Sequence, residues 1–80
     1  MLNLEMTTKL SEKEATKRLK AFFGEGGLGL KITEESPGCL NFEGGGGYVR
    51  ATVCTEKNKT RIDLQTQEWE IQVKEFAVKL

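Results

Sequence analysis

The chain has 80 residues, 38% of them hydrophobic and 30% charged, with twelve basic side chains against twelve acidic ones and no histidine. A domain of this size buries only about 60–65% of the surface its unfolded chain exposes, which leaves little room for a large interior cavity. Zero net charge withholds the Lys/Arg surplus on which polyanion affinity draws, and a chain without histidine lacks the commonest general base and metal ligand.

Leu2, Leu4 and Met6 alternate with Asn3, Glu5 and Thr7, the period-two pattern of a half-buried strand. The period then changes. Ala15, Leu19, Phe22 and Phe23 fall at helical spacing, Ser11 and Glu14 form a capping box, and Gly24 is placed to end the helix in a left-handed conformation. Four alternating segments follow, with inward sets Leu28/Leu30/Ile32, Leu40/Phe42, Val49/Ala51/Val53 and Ile62/Leu64. Breaks at 34–38, 44–47 and 55–59 read as turns, so the four strands should form an antiparallel meander.

The last segment, residues 68–80, carries Trp69, Val73, Phe76, Ala77 and Leu80 at helical spacing. Thr66 is the expected N-cap, with Glu68 and Glu70 at the positive end of the helix dipole. The predicted fold is therefore α+β, β-α-β-β-β-β-α, with one antiparallel sheet and two helices packed on one face in a single domain, 1–80. Setting Glu43 opposite Tyr48 and Val53 opposite Ile62 matches apolar with apolar and polar with polar along both hairpins. A one-residue slip would reverse the faces.

Two glycine-rich stretches invite a functional reading. Gly44–Gly47 could make an anion nest, but phosphate loops lead into a helix and a strand follows here; a turn is expected, though four glycines exceed what a two-residue turn needs. Gly24-Glu25-Gly26-Gly27-Leu28-Gly29 matches the dinucleotide pattern G-x-G-x-x-G. That motif works after a strand and at the start of a helix, whereas here it closes one.

No catalytic, cofactor-binding or metal-ligating set can be read. Cys39 and Cys54 share the outward parity, have no adjacent base and are expected as free thiols, diagonal to each other and too far apart to bond. The outward sheet face offers a candidate binding surface of Tyr48 and Arg50 with Glu43, Arg61 and Asp63. On the last helix, Ile71 and Val78 lie opposite the core stripe and are a candidate partner contact. No apolar run approaches the ~20 residues of a membrane span and no secretory signal opens the chain, so the expected compartment is the cytoplasm, with no membrane partner.

Strand-helix-four strands-helix, carried by "LNLEMT", "SEKEATKRLKAFF", the alternating segments and "EWEIQVKEFAVKL", resembles the TATA-box-binding-protein-like fold. In elaborated form the same order occurs in START and Bet v 1-like helix-grip domains. The resemblance implies duplex DNA binding on the sheet in the first case and an apolar ligand under the last helix in the second. The outward face here is polar and mixed in charge, so no nucleic-acid partner is expected. The function expected is a small non-catalytic binding or protein-interaction domain, as a homodimer or with a protein partner. The alternative is a carrier or sensor of a small apolar ligand held between sheet and last helix.

Overall fold

A computed structural model describes all of residues 1–80. The elements follow the predicted order: β1 (Leu2–Thr8), α1 (Glu12–Phe23), β2 (Lys31–Ser36), β3 (Cys39–Gly44), β4 (Gly47–Glu56), β5 (Lys59–Gln67) and α2 (Glu70–Lys79). The five strands form one antiparallel sheet in the order β1-β5-β4-β3-β2. The meander thus runs outward from β5 to β2, and β1 returns to flank β5.

Both central hairpins hold the expected register. Glu43 faces Tyr48, Phe42 faces Val49 and Leu40 faces Ala51; beyond the next turn, Val53 faces Ile62 and Ala51 faces Leu64. Alternation at period two decides this, because any slip would expose the apolar row. The inward side chains meet both helices in a single core: Ala15, Leu19 and Phe23 from α1, Val73 and Phe76 from α2, and Leu40, Phe42, Val49, Ala51, Ile62 and Leu64 from the sheet. Phe23 is its centre, with its ring centroid 4.9–5.6 Å from those of Phe22, Phe42 and Phe76. The tilted and edge-on contacts suit the ring quadrupoles.

The glycine block is a turn with two close approaches. Gly45 and Gly46 carry the reversal at φ +59° and +82°, the positive values a two-residue hairpin turn demands. Gly44 and Gly47 are small for a different reason. A Cβ on Gly44 would sit 2.6 Å from Leu30 Cδ2, and one on Gly47 would sit 2.1 Å from the Gln67 carbonyl oxygen. Turn and packing together account for all four residues.

Four local expectations are corrected. Ser11 does cap α1, its Oγ accepting from the Glu14 N–H at 3.2 Å, but Gly24 ends the helix at φ −79° and not in the left-handed region. The chain instead wraps back over the helix end, and the N–H groups of Gly27, Leu28, Gly29 and Leu30 donate to carbonyls of residues 22–24. This wrap takes Leu28 out of the strand, so only Leu30 of the expected inward trio is buried, while Leu28 and Ile32 remain exposed.

Glu34-Glu35-Ser36, expected in a turn, continues β2 after a bulge in which Thr33 lacks a cross-strand partner. The reversal is confined to Pro37-Gly38, with Gly38 at φ +79°, as a type II turn requires. Thr66, finally, is not a helix cap. It is the last buried position of β5, its hydroxyl donating to the Tyr48 carbonyl at 2.6 Å, and α2 starts only after Glu68 turns at φ +79°. Trp69 occupies the N-cap position without a side-chain cap; its half-buried indole donates to the Gly44 carbonyl at 2.9 Å and so ties the helix to the glycine turn.

Candidate functional site

The outward face of the sheet is formed by the residues of opposite parity to the core. β4 contributes Tyr48, Arg50, Thr52 and Cys54; β5 contributes Arg61, Asp63 and Gln65; β3 contributes Cys39, Asn41 and Glu43. Since β1 pairs with β5, Asn3 and Glu5 join them. An open trough of about 780 Å³ crosses this face, with Asn3, Asn41, Arg50, Thr52, Asp63 and Gln65 among its lining. Its floor is the sheet itself.

The two arginines on this face have different surroundings. Arg61 Nη2 lies 2.8 Å from Glu5, Nη1 lies 3.4 Å from Glu56 and Nε lies 3.3 Å from Asp63. The hydrogen bond and charge of Asp63, then the charge of Glu5 and the hydrogen bond of Glu56, hold this guanidinium above its ordinary pKa. Three carboxylates around one cation more than neutralise its charge, leaving it little attraction for an acidic ligand. Arg50 has no ion pair and no side-chain hydrogen bond. Its cross-strand neighbours are the neutral Asn41 and Gln65, and its guanidinium lies 5.3 Å from the centre of the Tyr48 ring. That is a cation–π contact, which orients the group without neutralising it.

The five predicted surface residues therefore separate into two groups. Tyr48, Arg50 and Glu43 cluster at the glycine-turn end. Arg61 and Asp63 lie toward the opposite end, with Arg61 opposite Cys54, four residues along β4 from Arg50 or roughly 13 Å at strand rise. Sequence reasoning missed Glu5 and Glu56 as partners of Arg61, and Asn3 in the trough. Gln65 lies opposite Arg50, as parity predicts, but Asn3 and Glu5 enter only through the long-range pairing of β1 with β5. Ile71 and Val78 are 69% and 87% exposed on the outer side of α2, well away from this face. Cys39 and Cys54 are both free thiols.

The molecule is thus a small α+β domain with a polar, open sheet face. No family model matches the chain, and no characterised protein matches it in sequence. No helix is long and apolar enough to cross a membrane.

Proposed function

We propose that the chain is a non-catalytic protein-interaction domain that takes an extended acidic segment of a partner across its outward sheet face. One observation carries the reading: Arg50 is charged, oriented on Tyr48 and unpaired, on a surface whose other arginine is saturated by carboxylates. A partner carboxylate can form the charge-assisted, two-pronged hydrogen bonds that guanidinium geometry favours. Tyrosine and arginine are also the side chains that anchor interfaces most often.

The packing of the core supports this over an apolar ligand beneath α2. Phe42, Ile62, Leu64, Val73 and Phe76 fill the space between sheet and helix, each at most 3% exposed. The element order supports the likeness to the TATA-box-binding-protein-like fold, and neither DNA binding nor ligand transport is carried over with it.

The test is a fluorescence-anisotropy screen of labelled acidic and neutral peptides. Acidic sequences should bind selectively, Arg50→Ala should weaken them about tenfold or more, as loss of an anchor residue does, and Arg61→Ala should change little. Equal loss from both arginine variants, or no acidic preference, would reject the assignment.

A further inference from the structure

We infer that the free edge of β1 is a self-association edge, pairing antiparallel with β1 of a second copy about a twofold axis through Leu4. The inference is independent of what the outward sheet face binds.

Every open sheet ends in strands with one unpaired row of backbone groups, and exposed edges are usually blunted by charge, proline or bulges. β2 is blunted, with Lys31, Glu34, Glu35 and a bulge in six residues. β1 is not. It runs seven residues in unbroken register against β5, with Glu5 as its single charge and no proline.

The backbone groups available on β1 follow from the register. The turn at Lys57-Asn58 closes on Glu56 and Lys59, a pair that exchanges both backbone bonds in a two-residue hairpin. Counting from there, odd residues of β5 point their N–H and C=O at β4 and even ones point at β1. Leu2, Leu4, Met6 and Thr8 therefore bond to β5. Asn3, Glu5 and Thr7 turn their backbone groups to the free side.

Twofold axes through several β1 residues can use those groups, but axes through Asn3, Met6 or Thr7 leave part of the apolar row Leu2, Leu4 and Met6 without an apolar residue opposite. An axis through Glu5 would set two carboxylates directly opposite each other, which is destabilising. An axis through Leu4 sets Asn3 opposite Glu5, Leu2 opposite Met6 and Leu4 opposite Leu4. The Asn3 side-chain amide can donate to the Glu5 carboxylate, and this happens twice by symmetry. On the inner side, Leu2, Leu4 and Met6, which the monomer leaves only half-buried against its core, meet the same three residues of the copy. The self-matching apolar row and the avoided contact between like carboxylates thus select a second copy and one register, and the product is a continuous ten-stranded sheet.

Sedimentation velocity on the full chain should show a species of twice the 8.9 kDa chain mass that dissociates on dilution. Asn3→Pro removes one free-side N–H while leaving the bonds to β5, a change edge strands tolerate; it should give a monomer with unchanged Trp69 emission. Asn3→Lys, placed opposite Glu5, should tighten the dimer, and Asn3→Glu should loosen it, each by about tenfold because cross-strand charge pairs act twice here. If the proline variant fails to fold, these two charge variants still decide. A chain that stays monomeric to about 1 mM overturns the inference. So does a dimer indifferent to residue 3, or one that Ile71→Asp or Val78→Asp abolishes in its place.

Discussion

At one end of the sheet lies β2, six exposed residues with three charges and a bulge at Thr33; at the other lies β1, seven regular residues with one charge. β2 meets solvent on every side chain, and its Glu35, turned to the inner side, forms an ion pair with Lys20 of α1. β1 instead alternates half-buried and exposed residues, with Leu2, Leu4 and Met6 packed against the core yet still open on one flank. An edge that must stay single carries features that oppose pairing, and an edge without them is free to pair. The contrast indicates that the two ends of the sheet answer to different requirements.

The largest effect separates the sheet's centre from its open end. Phe42 is fully buried on β3, with its ring 5.6 Å from that of Phe23, so Phe42→Ala should cost about 3–5 kcal/mol in urea unfolding. Leu4→Ala, at a half-buried position on β1, should cost roughly half the 2–5 kcal/mol typical of a fully buried leucine. The comparison sharpens with concentration. If β1 pairs with a copy, the Leu4→Ala penalty grows as protein concentration rises, while that of Phe42→Ala stays constant relative to it. Equal penalties at all concentrations would make β1 an ordinary edge.

Much of this arrangement was legible in the residues, and the exceptions share a cause. The registers of β3–β4 and β4–β5 could be read because alternation and short turns are local signals, each checking the other. β2 was misread because polar Glu34-Glu35-Ser36 looks like a turn, whereas an edge strand that must avoid pairing has the same composition. Leu28 alternates with Leu30 and Ile32, yet the backbone closing α1 draws it into a loop. Thr66 suits both an N-cap and the last inward position of β5, and burial at the Tyr48 carbonyl prevails. The site was half legible. Tyr48, Arg50 and Asp63 follow from parity, but the saturation of Arg61 depends on Glu5, brought in by a pairing 56 residues long in sequence. No local pattern encodes that.

A smaller effect tests the guarded edge. Glu35→Val removes an exposed ion pair, so stability should change by no more than about 1 kcal/mol. It also removes one of the three charges that blunt β2 and leaves a β-branched residue beside exposed Ile32. Light scattering at high concentration should therefore report more aggregation than the parent chain shows, despite nearly equal stability. If aggregation tracks stability alone, the charges on β2 have no protective role.

The smallest expected signal is with duplex DNA, although the paired sheet would offer it a broad platform. Pairing two copies at β1 doubles the outward face without improving its charge. Each copy brings Lys31, Arg50, Lys59 and Arg61 against Glu5, Glu34, Glu43, Glu56 and Asp63, and three of those carboxylates already surround Arg61. Phosphate contacts drive duplex affinity through counterion release, and only Lys31, Arg50 and Lys59 on this face remain free to make them. Wedging between base steps needs an apolar side chain on that face, and Phe42 is fully buried on the other. Anisotropy of a labelled duplex at about 150 mM salt should stay flat into the tens of micromolar, far from the affinities of specific DNA binders. A submicromolar, salt-sensitive isotherm would mean that the outward face has a partner chemistry its charges do not predict, and would overturn the acidic-segment reading of Arg50 as well.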